Sequence, residues 1–187
     1  MTHLYLIRHG QTDWNLEGRW QGHANVPLNE NGRQQAAEIA QKLTSIGLAA
    51  IYSSDLQRAL DTAQAIAAAT DLGVQIDPRL REIHQGKWQG MLAVDIEMRY
   101  GELLRQREDD PLSVAPPGGE SVQQVRNRVI ESIEEIRQRH PHERVAVVSH
   151  GFALAVVQVH YINHPLSKVW ELIPPNDRWV ELRLGEG

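Results

Sequence analysis

Two short apolar runs that each end in a His-Gly pair constrain the fold of this chain more than any other feature. Leu4–Ile7 leads into Arg8-His9-Gly10, and Val145–Val148 leads into Ser149-His150-Gly151, so the two histidines lie 141 positions apart. Short apolar runs of this kind are typical of buried strands. In an open α/β sheet the ligand lies at the carboxyl ends of the strands, so we expect both histidines to share one pocket.

The rest of the chain alternates between helical and strand patterns. Apolar spacing predicts helices over 30–46, 55–70, 94–108, 122–139 and 151–162. Asn29 is expected to cap the first of these, and the Ser54/Gln57 and Ser121/Gln124 pairs to form capping boxes for the second and the fourth. Strands are predicted over 49–52, 74–76 and 179–184, the last as an edge strand. This alternation indicates a three-layer α/β sandwich, with a mostly parallel central sheet flanked by helices. We expect a single domain over residues 1–187, with a small helical lid over 83–118.

Composition excludes several classes of protein. The 187 residues carry a formal net charge of −5, whereas nucleic-acid and membrane-surface proteins usually carry a basic excess, so we expect neither partner. The chain has no cysteine, which excludes disulfides, thiolate metal sites and a cysteine nucleophile and fits a reducing cytoplasm. Charged residues within the first ten positions argue against a signal peptide, and polar residues interrupt the longest apolar stretch, Val145–Val159, so it is not a membrane span.

Five side chains are candidates for chemistry, and each also has an ordinary structural explanation. Arg8 beside His9 at a strand end suits an anionic substrate, but a solvated arginine and a structural histidine would look the same. Arg58, in the first turn of a predicted helix, either faces a bound anion or is a surface residue. Glu82 precedes a Gly- and Trp-rich stretch that resembles the rim of a pocket, although an exposed loop carboxylate is the simpler interpretation. His150 is either a site residue or a satisfied core histidine.

Together these segments resemble a known family. LIRHGQTDWN, GRWQGHANVPLNENGRQQA, IYSSDLQRALDTA, LREIHQGKWQG, GGESV and VAVVSHG are similar, in order and spacing, to motifs of the histidine phosphatase superfamily, also called the phosphoglycerate mutase-like family. The similarity runs from residue 4 to about residue 184. It departs from the usual pattern at Asn25, Asn29 and Phe152, none of which belongs to the expected chemistry.

The resemblance implies a role for each candidate. His9 would be the nucleophile that forms a phosphohistidine, and Arg8, Arg58 and His150 would surround the phosphoryl oxygens. Glu82 would act as the general acid and then as the base for water. The substrate-binding residues expected beside these catalytic groups are Asn15, Gln21, Gly22, Gly151 (through its backbone N–H) and His84. No metal and no cofactor is implied, and the His140-x-His142 pair is expected in a solvated loop.

The same core supports two reactions. A phosphatase transfers the phosphoryl group to water, whereas a mutase returns it to another hydroxyl of the substrate. The short interval between Glu82 and Glu120, and the segment Ile83–Trp88 where mutases usually carry Arg-His-Tyr-Gly, favour the phosphatase branch. Several segments resemble metal-independent phosphoserine phosphatases, and α-ribazole phosphatases are comparably close. A phosphoglycerate mutase is the alternative, and a regulatory module on an inactive scaffold is disfavoured because the expected catalytic groups are all present.

The expected substrate is a small phosphorylated metabolite, and the protein is expected to be a monomer or a homodimer. Substrate specificity should reside in the lid, where a substrate carboxylate would use one or more of the basic residues His84, Lys87, Arg99, Arg105 and Arg107. Most of these are equally well explained as solvated helix charges. Trp14, Trp20 and Trp88 either form the pocket wall or pack in the core.

Overall fold

The computed structural model describes residues 1–110 and 112–185. Its strands are β1 (Thr2–Arg8), β2 (Ala50–Ser53), β3 (Val74–Ile76), β4 (Arg144–Ser149) and β5 (Trp179–Leu184). Its α-helices are α1 (Asp13–Glu17), α2 (Glu30–Leu43), α3 (Gln57–Thr70), α4 (Ala93–Asp109), α5 (Val122–Arg139) and α6 (Gly151–Tyr161). Short 3₁₀ helices cover Pro78–Leu80, Gly86–Trp88 and Leu166–Leu172.

The strands form one sheet in the order β3-β2-β4-β1-β5. The first three pairings are parallel, whereas β5 pairs with β1 in the antiparallel direction at the edge of the sheet. The predicted α/β class with a mostly parallel sheet is confirmed, and so is the edge position of the last strand. The register pairs Arg8 with Ser149, so the residues that follow them, His9 and His150, leave the sheet side by side.

Two hydrophobic cores cover the two faces of the sheet. Alternate side chains of β1 point to opposite faces, so Leu4 and Leu6 belong to one core and Tyr5 and Ile7 to the other. The first core also takes apolar residues from α5 and α6, and the second takes them from α2 and α3. The sheet is therefore the middle of three layers, and its carboxyl edge is held from both sides.

Two helix termini differ from the sequence-based prediction. The helix expected over 55–70 begins at Gln57, and its N-cap residue, Leu56, has no side-chain capping bond. The predicted Ser54/Gln57 capping box is therefore wrong, because the Ser54 hydroxyl lies against Leu56 N–H and the His150 ring instead. The helix capped by Asn29 ends at Leu43 instead of residue 46, since the chain turns through Thr44, whose backbone N–H bonds to the Gln41 carbonyl.

A tight backbone contact joins the loop after β1 to the first turn of α2. A Cβ atom on Gly10 would lie 2.3 Å from the Gly32 carbonyl oxygen, and one on Gly32 would lie 2.1 Å from the Gln11 carbonyl oxygen. Real Cβ atoms do not come this close to backbone oxygens, so both positions require glycine. The contact fixes the loop that carries His9.

Candidate active site

A cavity of about 330 Å³ opens at the carboxyl ends of β1 and β4. Its wall contains Arg8, His9, Asn15, Arg19, Trp20, Gln21, Gly22, Arg58, Glu82, Ile83, Gln85, Gly151, Phe152, Trp170 and Ile173. Eight of the ten residues that the sequence predicts at the catalytic and binding site, Gly151 among them, line this cavity. His150 and His84 are not. The sequence-distant strand ends therefore meet at one concave surface, as parallel strands require.

His9 is held in one tautomer by its two neighbours. Its Nδ1 lies 2.7 Å from the Gly10 carbonyl oxygen, which only accepts hydrogen bonds, so Nδ1 carries the proton. The guanidinium Nε–H of Arg58 donates to Nε2 at 3.2 Å, so Nε2 carries the lone pair. Burial, followed by the charges of Arg58 and Arg8, lowers the pKa of His9 well below its ordinary value. The imidazole is thus neutral near pH 7, with its nucleophilic nitrogen beside a cation.

Carbonyl oxygens, which carry no net charge, hold Arg8 and Arg58, two of the three arginines that line the cavity. Arg58 donates to the carbonyls of Ala24 and Gly22 at 2.8 Å each, and Arg8 donates to the Pro174 carbonyl at 3.0 Å. The Nε–H of Arg8 is buried without a partner among the described residues. Burial lowers the pKa of Arg58 to about 10, which leaves it charged at neutral pH. Both guanidiniums therefore offer positive charge that an anionic ligand can neutralise.

Because Gly151 has no side chain, the Arg8 guanidinium can pack against its backbone. A Cβ atom at this position would lie 3.3 Å from Cζ and Nε of Arg8 and 3.0 Å from the Ile173 side chain. These distances are tighter than ordinary van der Waals contact, so any larger residue would displace the guanidinium or Ile173. Gly151 is also the first residue of α6, where backbone N–H groups favour an anion.

Glu82 occupies the N-terminus of α6. Its carboxylate oxygens accept hydrogen bonds from the backbone N–H groups of Phe152 and Ala153 at 3.1 Å each, and from its own neighbour Ile83 at 2.9 Å. The backbone carbonyl of Glu82 accepts from Arg128 at 2.8 Å and lies 2.7 Å from Nε2 of His23. The carboxyl group is therefore fixed both through its side chain and through its main chain.

His150 lies directly behind His9, with 5.2 Å between the ring centroids. Its side chain is completely buried and does not reach the cavity wall. Nε2 of His150 lies 2.8 Å from the hydroxyl of Ser54, while Nδ1 has no partner among the described residues. Since Ser54 Oγ already accepts from Leu56 N–H, its own proton is available for Nε2, which leaves Nδ1–H as a buried donor. Burial and the Arg58 charge lower the pKa of His150 well below its ordinary value, so this ring is neutral too.

The smaller expected contacts divide into two groups. Asn15 accepts from Thr12 N–H through Oδ1 at 3.0 Å, so its amide nitrogen remains as the donor. Gln21 and Gly22 line the cavity, and the left-handed backbone of Gly22 (φ 52°) leaves no room for a Cβ beside Gln89. His84 is placed elsewhere: its ring packs edge-on against His23 at 4.7 Å and its Nδ1 accepts from Gly86 N–H.

Several residues at the site were not expected from the sequence. Ser54 supports His150, Arg128 and His23 support the Glu82 backbone, and Trp170 lines the cavity from the 3₁₀ helix Leu166–Leu172. The serine pair before α3 is a sequence signal for the contact of Ser54 with His150, but the same pattern also predicts a helix cap. Trp88, expected at the pocket rim or in the core, is completely buried, whereas Trp20 lines the cavity and Trp14 packs on Gly90.

Two features of the described residues bear on other classes of function. No helix within residues 1–110 or 112–185 is long and apolar enough to cross a bilayer. Over the same residues, no group of three or more His, Asp or Glu side chains is placed to hold a metal ion. His140 instead lies against Glu143 and the Tyr52 hydroxyl.

A neutral buried imidazole beside two guanidiniums, at the strand ends of an α/β sheet, is typical of the class of proteins that bind an anionic group. Comparison with known proteins agrees with this class. The family model of the histidine phosphatase superfamily (branch 1) matches residues 4–187, and the chain belongs to this superfamily. Its relatives, described next, support the conclusion that it is a phosphatase.

Phosphoserine phosphatase 1 of Hydrogenobacter thermophilus is 40% identical over 186 residues, which cover 100% of this chain and 88% of the relative. A probable phosphoglycerate mutase of Serratia proteamaculans is 36% identical over 82% of this chain and 72% of the relative. Among solved structures, a mycobacterial glucosyl-3-phosphoglycerate phosphatase in complex with VO3 has a TM-score of 0.88 at 34% identity and covers 97% of this chain and 90% of its own. An α-ribazole phosphatase from Shigella flexneri has a TM-score of 0.88 at 27% identity and covers 98% of this chain and 91% of its own.

Proposed function

We propose that this protein hydrolyses small phosphomonoesters through a phosphohistidine formed on His9. The observation that carries the proposal is the state of His9: a neutral ring, protonated on Nδ1, with its Nε2 lone pair beside Arg58 and on the wall of a cavity that Arg8 also lines. A nucleophile must keep its lone pair free of protons at the working pH, and burial next to two cations achieves this. The same cations bind the phosphoryl oxygens.

In the first step, Nε2 of His9 attacks phosphorus in line and the bond from phosphorus to the ester oxygen breaks. Glu82, acting as the general acid, gives its carboxyl proton to the departing oxygen. The Gly10 carbonyl keeps its hydrogen bond from Nδ1–H and stabilises the positive charge that develops on the ring. The alcohol then leaves, and the phosphoryl group stays on His9.

In the second step, a water oxygen attacks phosphorus, the phosphorus–nitrogen bond breaks and Glu82 takes a proton from the water. Free phosphate is released, and His9 returns to its neutral tautomer. Arg8, Arg58, the Asn15 amide, Gln21, Gly22 and the Gly151 N–H group are the proposed donors or neighbours of the phosphoryl oxygens. His150, which does not line the cavity, supports the His9 ring from behind. Every proton and phosphoryl group is handled by these side chains, so the proposed cycle requires no metal and no cofactor.

The experiment is a trapping assay on the whole chain with a labelled phosphomonoester and an alkaline quench, because phosphohistidine is stable in alkali and labile in acid. Wild-type protein should carry the label and release phosphate, and His9→Ala should do neither. His164→Ala, which changes an exposed histidine, is the matched control and should behave like wild type. Hydrolysis that survives in His9→Ala would refute the nucleophile assignment, and loss of activity in a chelator with recovery on adding Mg²⁺ would refute the metal-independent cycle.

Mutase activity is the second candidate because several relatives at 36–39% identity have names that refer to phosphoglycerate mutases. The partition between the two reactions is measured by supplying 3-phosphoglycerate and following both 2-phosphoglycerate and free phosphate. We expect phosphate to be the main product. Faster isomerisation than hydrolysis would assign the chain to the mutase reaction.

A further inference from the structure

Arg107 is a buried cation that the proposed chemistry does not use. It lies in the last turn of α4 with only 1% of its surface exposed, and its guanidinium carbon stands 5.8 Å from the ring centroid of Trp20 and 5.5 Å from those of Trp88 and Trp170. Aromatic faces offset part of the cost of burying a cation. They supply no negative charge, so the guanidinium remains without a counter-ion in this cage.

Two nitrogen donors of Arg107 have no partner within the part of the chain that the structure describes, and they are the two atoms with which other arginines of this molecule bind carboxylates. Its Nη1 donates to Gln85 at 3.3 Å, but Nε and Nη2 are buried and have no partner among the described residues. In Arg81 and Arg128 the same two atoms donate side by side to a single carboxylate, that of Asp55 and that of Glu120 respectively. Arg107 therefore presents a planar, two-donor fork that no described residue engages and that matches the geometry of a carboxylate.

This fork is directly behind the cavity wall. Trp20 and Trp170, two of the three indoles of the cage, line the cavity, and so does Gln85, which Arg107 contacts. Burial lowers the pKa of Arg107 to about 10, and the negative charge of Glu82 partly offsets this effect. Arg107 is thus charged at neutral pH, and it contacts Gln85, which lines the same cavity as Glu82.

We propose that Arg107, together with Gln85, recognises a carboxylate on the leaving-group side of the substrate. The inference rests on the proposed phosphomonoesterase function and deepens it: the preferred substrates are small phosphomonoesters of hydroxy acids or amino acids. Arg8 and Arg58 hold the phosphoryl end, and Arg107 receives the other end.

Access to the fork requires one indole of the cage to move, and Trp170 is the one with a free side. It is 38% exposed, belongs to a 3₁₀ helix and packs on Phe152 with 4.6 Å between ring centroids, whereas Trp88 is completely buried. Unpaired buried charge is costly, so a ligand that supplies the missing carboxylate gains more from this fork than from a solvated arginine.

The test compares substrates that differ in the carboxylate alone. Phosphoserine is paired with phosphoethanolamine, and 3-phosphoglycerate with glycerol 3-phosphate, each measured as kcat/KM. In at least one pair wild-type protein should favour the carboxylated member by about 10- to 100-fold, the usual effect of one charge-assisted fork. Arg107→Met, similar in length and without charge, should remove most of that preference by lowering kcat/KM for the carboxylated member. Arg107→Lys, which keeps the charge but not the fork, should be intermediate.

Arg105→Met is the matched control, because Arg105 lies on the same helix, is largely exposed and pairs with Glu102. It should keep the wild-type preference. A wild-type protein that shows no preference in either pair would overturn the inference without depending on any variant being folded. Equal losses of Arg107→Met on both members of a pair would also overturn it. Failure of the phosphatase proposal is distinguishable, since wild type would then release no phosphate from any of the four esters or from p-nitrophenyl phosphate.

Discussion

Lowering the pH from 7.5 to 5.5 should destabilise the folded protein through His9 and His150. Both rings are buried, and burial with the nearby Arg58 charge lowers both pKa values well below the ordinary one. In the unfolded chain histidine titrates near ~6.5, so below that pH the unfolded state binds protons that the native state does not. The contribution of the two neutral rings to the free energy of unfolding is therefore fully present above this pH and is lost as the pH falls below it. Each histidine that stays neutral contributes a loss of about 1.4 kcal/mol over this interval, about 2.7 kcal/mol for the two.

The assay is urea unfolding followed by tryptophan fluorescence at the two pH values, in buffers without phosphate. The free energy of unfolding of wild type should fall by about 2.7 kcal/mol between the two pH values. That of a His9→Gln/His150→Gln double variant should fall correspondingly less. The lowered pKa values of His23 and His160 act in the same direction, but both residues remain in the variant and cancel in the comparison. His164→Gln, an exposed change, is the control. A double variant that loses as much stability as wild type would refute the neutral, buried state of the two rings.

Three further predictions concern the same site. Glu82→Gln should lower kcat on alkyl phosphates by about 10²- to 10⁴-fold and much less on p-nitrophenyl phosphate, whose leaving group needs little protonation, so equal losses would argue against the acid role. Gly151→Ala should lower kcat/KM by about tenfold, because its Cβ would come within 3.3 Å of Arg8, while Gly73→Ala, with open space around it, should change nothing in the same steady-state assay. Arg128→Met removes both guanidinium bonds to the part-buried Glu120 carboxylate and leaves it only the His84 N–H group as a close donor among the described residues, so it should cost about 2 kcal/mol in urea unfolding; an unchanged midpoint would contradict this.

The sheet and the position of the site were predictable because they depend on local patterns. Short apolar runs identified β1 and β4, and the rule that ligands lie at strand ends predicted that His9 and His150 would meet. The Ser121 capping box was also correct, since both of its reciprocal hydrogen bonds form within one segment. Local patterns are sufficient where the deciding contacts are close in sequence.

Tertiary contacts decided what the sequence did not predict. Ser54 satisfies the pattern of a helix cap, yet its hydroxyl is engaged by His150, 96 positions away. Arg105 and Arg107 are two basic residues on one helix, and nothing in their neighbours distinguishes the solvated one from the one enclosed by three indoles. His84 is in the matched motif, but the ring of His23 and the Gly86 N–H group hold it outside the cavity wall.

The pairing of β1 has a consequence for how the protein is made. This strand contains residues 2–8 and leads to the nucleophile, yet its two neighbours are residues 144–149 and 179–184. Contacts this distant in sequence form slowly, and a nascent chain that ends before β4 leaves both edges of β1 unpaired and open to aggregation. The strand that leads to His9 therefore gains both of its neighbours only when the last strand has been synthesised and docked. A premature stop after α5 should therefore yield an insoluble product instead of a partly active one.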